Sequence, residues 1–333
     1  MMLSQKTNQT YPRLLADIGG TNARFALETA ERQFEAVSVL ACIDYPSLPD
    51  AIKSYLASTA VRQVQIRHDA RIAHAAIAIA NPIDGDSVRM TNHHWSFSIS
   101  AVREQLDFSS LLVINDFTAL AMALPYLDAS QLQKIGGGIE VPGSAIGLIG
   151  AGTGLGVSGI IPAGSSWAAL SSEGGHASFA PVNREEMRIL ETLWQQYEHV
   201  SAERLLSGRG LELICAAISG KILDAADITR RALDGSCQDC LRTVEHFCAI
   251  LGSMAGNVAL TLGATGGMYI GGGIVPRLGS LFAASAFRQR FEAKGRLSSF
   301  LAQIPTYLIT EEYPAFLGVS AMLADHLSKQ EKN

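Results

Sequence analysis

Two short stretches of this chain repeat one design, and the repeat constrains the fold more than any other feature of the sequence. In each stretch an apolar run enters a turn of small residues with a Gly-Thr step and leaves as a second apolar run. The first stretch spans residues 14–26 and the second spans residues 148–157. We therefore predict two β-hairpins, each opening an α/β unit. A chain of 333 residues is long enough for two such domains, and we expect a ligand site in the cleft between them.

The turns of both hairpins are suited to bind phosphate. Glycine lets backbone N–H groups approach an anion closely, and threonine adds a hydroxyl donor beside them. A third glycine turn follows an apolar strand later in the chain. The candidate loop residues are Gly19, Gly20, Thr21 and Asn22 in the first turn, Gly152, Thr153 and Gly154 in the second, and Gly271, Gly272 and Gly273 in the third. Asp17 precedes the first turn and could position a metal ion on the bound phosphates.

Charge and cysteine content limit the class of protein. The formal net charge is -5 and no basic stripe is present, which argues against non-specific binding to nucleic acid. Five scattered cysteines indicate a reducing compartment rather than a disulfide framework. The close pair Cys237 and Cys240 is a loose match to a zinc site that would add His246 and Cys248; the alternative is two cysteines on a helix.

Targeting signals are not evident. Residues 1–11 are polar and lack the apolar core of a signal peptide. Residues 141–172 and 247–276 carry no charge, but their many glycines favour tight loops between buried strands over membrane spans. We therefore expect a cytoplasmic protein that does not cross a membrane.

Polar side chains follow buried strands where functional groups emerge from α/β sheets. Asn115 and Asp116 come directly after one such strand, and Asp116 is either a helix N-cap or a proton acceptor for an alcohol. Glu173 and His176 flank a glycine pair just after the second hairpin, where an ordinary polar loop is the alternative. Glu203 by itself is typical of a solvated helix residue. Together these types supply the donors and acceptors that fix sugar hydroxyls.

A dinucleotide-binding fingerprint occurs only formally, at Gly154-x-Gly156-x-x-Gly159. It is followed by a predicted strand, whereas that motif requires a helix. An oxidoreductase is therefore the least supported reading of the glycine-rich turns.

Taken together, the motifs resemble those of the bacterial glucokinase family over residues 14–324. The resemblance is carried by Asp17-x-Gly-Gly-Thr-Asn-Ala-Arg-Phe-Ala, Thr91-Asn92-His93-x-Trp95, Asn115-Asp116-Phe-Thr-Ala, Gly150-x-Gly-Thr-Gly-Leu-Gly156, Glu173-Gly-Gly-His176 and Ser201-Ala-Glu203-Arg. The resemblance implies a two-domain, actin-like ATPase fold with ribonuclease H-like cores and an interdomain cleft. It places residues 1–115 with 317–333 in a small domain and residues 116–316 in a large one.

The resemblance also implies an activity, the transfer of phosphate from ATP to the 6-hydroxyl of D-glucose. By it, Asp116 is the general base, and Asn115, Glu173, His176 and Glu203 hold the other hydroxyls. Asp17 organises Mg²⁺ through water. The two hairpin loops hold the phosphates, and the third glycine turn lies against adenosine. No cysteine lies between Glu173 and Cys215, so structural zinc is not expected. A homodimer is implied.

Two alternatives keep the same fold. One is a kinase for another hexose or an amino-hexose, because spacing does not tell which hydroxyl pairs with which residue. The other is a non-catalytic sugar sensor, which the presence of Asp116 disfavours.

Overall fold

The computed structural model describes residues 11–91, 93–164 and 166–330. Within these ranges the chain divides into two compact units. One is formed by the residues up to Leu127 together with those from Glu312 onward, and the other by Asp128–Glu311.

The first unit is built on one sheet, in which the strands whose ranges are given below lie in the order β3-β2-β1-β4-β7. In this sheet β1, β4 and β7 run parallel, and β1, β2 and β3 form antiparallel hairpins. The strands are β1 (Arg13–Ile18), β2 (Asn22–Ala30), β3 (Gln33–Ala41), β4 (His74–Ile79), β5 (Ser87–Arg89), β6 (Ser96–Ser98) and β7 (Ser110–Asn115). The helices of this part are α1 (Leu48–Leu56), α2 (Thr59–His68), α3 (Ile99–Gln105) and α4 (Asp116–Ala123).

Strand β4 illustrates why the centre of the sheet is apolar on both faces. Successive side chains of a strand point to opposite faces. Ile77 packs into a cluster with Leu14 on one side, whereas Ala76 packs with Phe316 on the other. Both layers exclude water, so the strand is a continuous apolar run rather than an alternating one.

The second unit repeats this arrangement with the sheet order β11-β10-β9-β12-β13-β8. Strands β9, β12 and β13 run parallel, and β9, β10 and β11 are antiparallel. The strands are β8 (Leu132–Gly136), β9 (Ile146–Ala151), β10 (Leu155–Ala163), β11 (Ser166–Ala169), β12 (Met268–Gly271) and β13 (Thr306–Ile309). The helices are α5 (Arg184–Trp194), α6 (Ala202–Leu205), α7 (Gly208–Ser219), α8 (Ala225–Leu233), α9 (Gln238–Leu262), α10 (Val275–Leu278), α11 (Ser280–Ala283), α12 (Phe287–Glu292) and α13 (Ser298–Gln303). The predicted doubling of a hairpin-led α/β unit is therefore present in the structure.

Most of the longer helices begin in the way their sequences indicate. Their N-cap side chains are oxygen-bearing and accept a hydrogen bond from an N–H group of the first turn, which satisfies a donor that the helix itself leaves unpaired. These N-caps are Ser47, Ser58, Ser98, Asn115, Asn183, Ser207 and Asp224. Short 3₁₀ turns occur at Cys42–Asp44, Leu124–Tyr126, Ala129–Gln131, Gly174–His176 and Gly295–Leu297.

The chain returns to the first unit through α14 (Pro314–Gln330), which packs on α4. The contact is so close that a Cβ added at Gly318 would lie 1.7 Å from the carbonyl oxygen of Ala119. This packing keeps α4 in the first unit. The division therefore falls after Leu127, whereas the sequence predicted it after Asn115.

Among the described residues, no helix is both long enough and apolar enough to span a membrane. The charge-free segments of the sequence fold instead into strands such as β9 and β12 and into part of α9.

Candidate active site

The carboxyl ends of the parallel strands in the first unit gather polar side chains at one edge of the sheet. Asp17 lies at the end of β1, Asn81 follows β4, and Asn115 ends β7. This edge is where α/β sheets present their ligand-binding groups. The fold therefore brings together residues that are far apart in the sequence.

Asn115 is the N-cap of α4. Its Oδ1 accepts hydrogen bonds from the N–H groups of Phe117 at 2.9 Å and Thr118 at 3.0 Å. Its Nδ2 donates to Asp116 Oδ1 at 3.1 Å and to the carbonyl oxygen of Asn81 at 3.4 Å. Both ends of the amide are thus engaged, and one of them holds the carboxyl group of Asp116 in place.

Asp116 is the first residue of α4 rather than its cap, so the N-cap reading of this residue is wrong. Its Oδ1 accepts from Phe117 N–H at 2.8 Å and from Asn115. No hydrogen bond to its Oδ2 is found among the residues that the structure describes. Burial and, to a lesser extent, the carboxylate of Asp17 raise the pKa of Asp116 to about 7. A held carboxyl group with one available oxygen and such a pKa is suited to general-base chemistry.

Asp17 pairs with Arg24, whose Nη1 lies 3.1 Å from Asp17 Oδ2. Burial raises the pKa of Asp17, and Arg24 opposes that effect. In the part of the chain that is described, no group of three or more His, Cys, Asp or Glu side chains is arranged to hold a metal ion. One carboxylate nevertheless fits Mg²⁺, which proteins commonly hold through one or two carboxylates, water and the phosphates of a substrate.

Both hairpin loops contain an internal backbone hydrogen bond donated by their first glycine. In the first, Gly19 N–H donates to the carbonyl oxygen of Asn22 at 2.9 Å; in the second, Gly152 N–H donates to that of Gly154 at 2.8 Å. The first glycine amide of each loop is therefore used within the turn. The side chains of Thr21 and Thr153 are exposed, so their hydroxyls remain accessible to a phosphate.

Glu173, His176 and Glu203 form one cluster in the second unit. His176 Nε2 lies 3.8 Å from Glu173 Oε2, and its Nδ1 lies 3.9 Å from Glu203 Oε1. These distances exceed those of hydrogen bonds, so the three polar groups remain able to bind a ligand. The structure thus brings together three residues that the sequence grouped only by family resemblance.

Glu203 is not the solvated helix residue that its local sequence indicates. Its Oε2 accepts from the N–H group of Leu155 at 3.0 Å, which fixes the carboxylate against the second hairpin loop. A Cβ added at Gly154 would lie 2.5 Å from that same oxygen. Glycine is therefore required at residue 154 for the carboxylate to reach this position.

A cavity of about 1140 Å³ lies beside the second hairpin loop, with Gly152, Thr153 and Gly273 in its wall. The third glycine turn is brought there because β12 pairs with β9, which sets Gly271 opposite Gly150. Most of the remaining wall comes from α7 and α8: Gly208, Arg209, Glu212, Ala225, Thr229 and Leu233 are among its residues. Its size and mixed apolar and polar lining suit a nucleotide.

The sequence did not predict that α7 and α8 line this cavity. Gly208, the first residue of α7, donates its N–H to the carbonyl oxygen of Gly152 at 2.9 Å, so this helix begins at the hairpin loop. The Ser-Gly step at residues 207–208, which interrupts the helical sequence, was the available signal for a helix start at this loop.

Asn81 is a second residue that the sequence analysis did not select. Its Oδ1 accepts from Thr91 N–H at 3.1 Å, and its carbonyl oxygen accepts from Asn115. It therefore joins the loop after β5 to the residue that holds Asp116. In that loop, Trp95 is buried and donates to the carbonyl oxygen of Tyr45 at 3.0 Å. Asn92 of the same motif lies outside the described residues.

Comparisons with known proteins agree with this geometry. A family model described as Glucokinase matches residues 14–326. A bifunctional protein glk of Paraburkholderia xenovorans is 55% identical over 326 residues, covering 96% of this chain and 50% of that protein. The chain thus spans about half the length of this relative and of those from Burkholderia.

Two further relatives match over nearly their whole length. A glucokinase of Chromobacterium violaceum is 54% identical, over 96% of this chain and 91% of its own. The crystal structure of a glucokinase from an Antarctic psychrotroph has a TM-score of 0.85 and 39% identity, over 95% of this chain and 100% of that one. The predicted actin-like α/β fold is confirmed.

Proposed function

Because the chain belongs to the glucokinase family, we propose that it transfers the γ-phosphoryl group of ATP to the 6-hydroxyl of D-glucose. The products are glucose 6-phosphate and ADP. The observation that carries this proposal is the environment of Asp116, a carboxyl group held through one oxygen by Phe117 and Asn115.

In this proposal Asp116 accepts the proton of the 6-hydroxyl as the bond to phosphorus forms. With a pKa of about 7, a substantial fraction of this carboxyl group is ionised at neutral pH. The carboxylate is also a stronger base than that of an ordinary Asp, which favours proton transfer to it. A positioned base of this kind contributes about 10²–10⁴ in rate. Asn115 positions Asp116, and its predicted contact with the sugar stays a prediction.

The other sugar hydroxyls are assigned to Glu173, His176 and Glu203. Carboxylates accept from hydroxyls, and a neutral imidazole both donates and accepts, so the three side chains offer complementary partners. A sugar that lacks one of the bonded hydroxyls would leave a polar group of the cluster unpaired, which is the physical basis of discrimination.

The nucleotide is assigned to the second unit's cavity and to the glycine loops. We place adenosine against the turn Gly271–Gly273, and the phosphates on the loops Gly19–Asn22 and Gly152–Gly154, where the threonine hydroxyls and the N–H groups not used within the turns would donate to them. Asp17 would hold Mg²⁺. Proteins usually bind this ion through one or two carboxylates together with the phosphates of a substrate, rather than through protein ligands alone. When bound, Mg²⁺ neutralises charge that develops on the phosphates during transfer.

The homodimer implied by the family resemblance and the cytoplasmic location expected from the sequence stay predictions.

The proposal is tested by measuring ADP release with MgATP and one sugar at a time: glucose, mannose, fructose, glucosamine and N-acetylglucosamine. We expect turnover to be concentrated on glucose. Turnover on another sugar would move the specificity to another hexose or amino-hexose. No turnover on any sugar, with glucose still bound in a calorimetric titration, would favour the sugar sensor and overturn the proposal.

A further inference from the structure

The pair Cys237 and Cys240 stands at the beginning of α9, outside the residues assigned to catalysis. Cys237 is the N-cap of this helix, and Cys240 lies in its first turn. Where the N-caps of α1, α2, α5, α7 and α8 are oxygen-bearing side chains, α9 has a thiol that makes no cap hydrogen bond. A thiol here forgoes helix stability that Ser or Asp would supply. Helix stability alone therefore does not account for cysteine at this position.

The two thiols differ in accessibility and interact with each other. Cys237 is partly exposed, whereas Cys240, three residues later in the chain, is fully buried. Each thiol affects the ionisation of the other, because the Cys240 thiol lowers the pKa of Cys237 and Cys237 raises the pKa of Cys240. A residue at the N-cap and one three positions later lie on the same side of the first turn, as a disulfide requires. The pair thus combines one sulfur that solvent can reach with a second sulfur that solvent cannot.

The surroundings favour the thiolate of the exposed sulfur. The Cys240 thiol, then the backbone N–H groups of Cys240 and Asp239, and finally the Lys221 ammonium group lower the pKa of Cys237. Lys221 is held there by an ion pair with Asp239, with 3.0 Å between Nζ and Oδ2. Burial is the main cause that raises the pKa of Cys240 to about 12. The thiolate, rather than the thiol, is the nucleophile of disulfide exchange.

We propose that Cys237 and Cys240 form a thiol–disulfide exchange site that reacts with low-molecular-weight disulfides. In the first step the Cys237 thiolate attacks a disulfide RSSR, forming a mixed disulfide on Cys237 and releasing RS⁻. In the second step the Cys240 sulfur attacks Cys237 Sγ, closing the intrachain disulfide and releasing the other RS⁻. The protein dithiol loses two electrons and two protons, and RSSR gains both to become two RSH.

A metal site is the competing reading of the pair. The residues that the structure describes contain no group of three or more His, Cys, Asp or Glu side chains able to hold a metal ion. His246 and Cys248, which completed the loose zinc pattern in the sequence, lie further along α9 and do not join the two thiols in such a group. Two thiols in one helix turn, without further ligands, are the arrangement that exchange requires.

The test uses the folded, full-length chain with oxidised glutathione as the disulfide, followed by intact-mass and peptide mass spectrometry. We expect the reversible loss of two hydrogen atoms, mapped to the peptide that contains both cysteines, and recovery with reduced dithiothreitol. Glutathionylated Cys237 should appear only transiently. A wild-type protein that keeps both free thiols under these conditions would overturn the proposal.

Two variants separate the steps. Cys237→Ser should lower the rate of reaction with glutathione disulfide by about 10-fold or more, because the other four cysteines are buried. Serine is a favoured N-cap, so this variant keeps the helix start. Cys240→Ser should accumulate a stable glutathione adduct on Cys237, and Cys240→Ala serves as a second variant if the buried serine impairs folding. Equal rates in Cys237→Ser and wild type, or no adduct in either Cys240 variant, would refute the assigned order of attack.

Discussion

Replacing Asp116 by Asn is expected to stabilise the first unit above neutral pH while it removes the proposed general base. Burial and the Asp17 carboxylate raise the pKa of Asp116 to about 7, whereas an Asp in an unfolded chain titrates near ~3.9. The folded state therefore binds this proton more tightly than the unfolded state. The free energy of unfolding consequently falls as the pH rises from about 4 to about 7, and the cost is fully present above that range.

The magnitude follows from the gap between the two pKa values. Each pKa unit corresponds to about 1.4 kcal/mol, so a gap of roughly 3 units sets an upper limit of about 4 kcal/mol. Asp116 is only half-buried, and hydration and relaxation reduce this cost, so we expect about 1–3 kcal/mol. Asn has no charge to desolvate, and its Oδ1 can still accept from Phe117. The free energy of unfolding of the variant should therefore exceed that of the wild type by this amount at pH 8 and by about half as much at pH 5.5.

Urea unfolding followed by tryptophan fluorescence measures the difference. The chain has three tryptophans, and Trp95 is the one buried in the first unit. Trp167 and Trp194 are replaced by Phe in both proteins so that the signal reports that unit. Asp84→Asn, at an exposed carboxyl of the same unit, is the matched control and should change little. A variant no more stable than the wild type at pH 8, or equally stabilised at pH 5.5, would refute the reasoning.

Three further predictions concern activity. Since protonated Asp116 cannot accept a proton, kcat/KM should fall tenfold per pH unit below about pH 7, and a flat profile down to pH 5.5 would contradict its role. Asn81→Ala removes the acceptor of Thr91 N–H and should lower kcat/KM for glucose about 10-fold with the KM for ATP unchanged, measured by varying each substrate; an equal effect on both would indicate general damage. Glu203→Ala should raise the KM for glucose by about 10-fold or more, whereas Glu203→Gln, which keeps an acceptor for Leu155 N–H, should raise it less; equal KM values would count against the fixed carboxylate.

Much of the fold could be predicted from the sequence because its signals are local. The apolar runs around each Gly-Thr step predict the hairpins β1–β2 and β9–β10, and the structure contains both. The Ala- and Ile-rich run of β4 predicts a strand covered on both faces, which the two flanking clusters confirm. The division after Leu127 depends on α14 packing against α4, a contact between distant parts of the chain that no local signal encodes.

In the candidate site, too, local sequence patterns mark some of the residues and not others. Asp116, Glu173 and His176 stand in short motifs next to strands or glycine turns, so their sequence neighbours mark them. Glu203 reaches its place through a hydrogen bond to Leu155, 48 residues earlier, which no local pattern encodes. The role of Asn81 depends on the parallel pairing of β4 and β7, which no local pattern encodes.

The most direct test of the account measures two products in the same reaction with glucose and MgATP. ADP is followed through one coupling system, and glucose 6-phosphate through its oxidation by glucose-6-phosphate dehydrogenase with NADP⁺. We predict equal rates for the two products, with both rates falling by about 10²–10⁴ in Asp116→Asn. ADP release without glucose 6-phosphate, or a variant with near-normal rates, would contradict transfer to the 6-hydroxyl with Asp116 as the base.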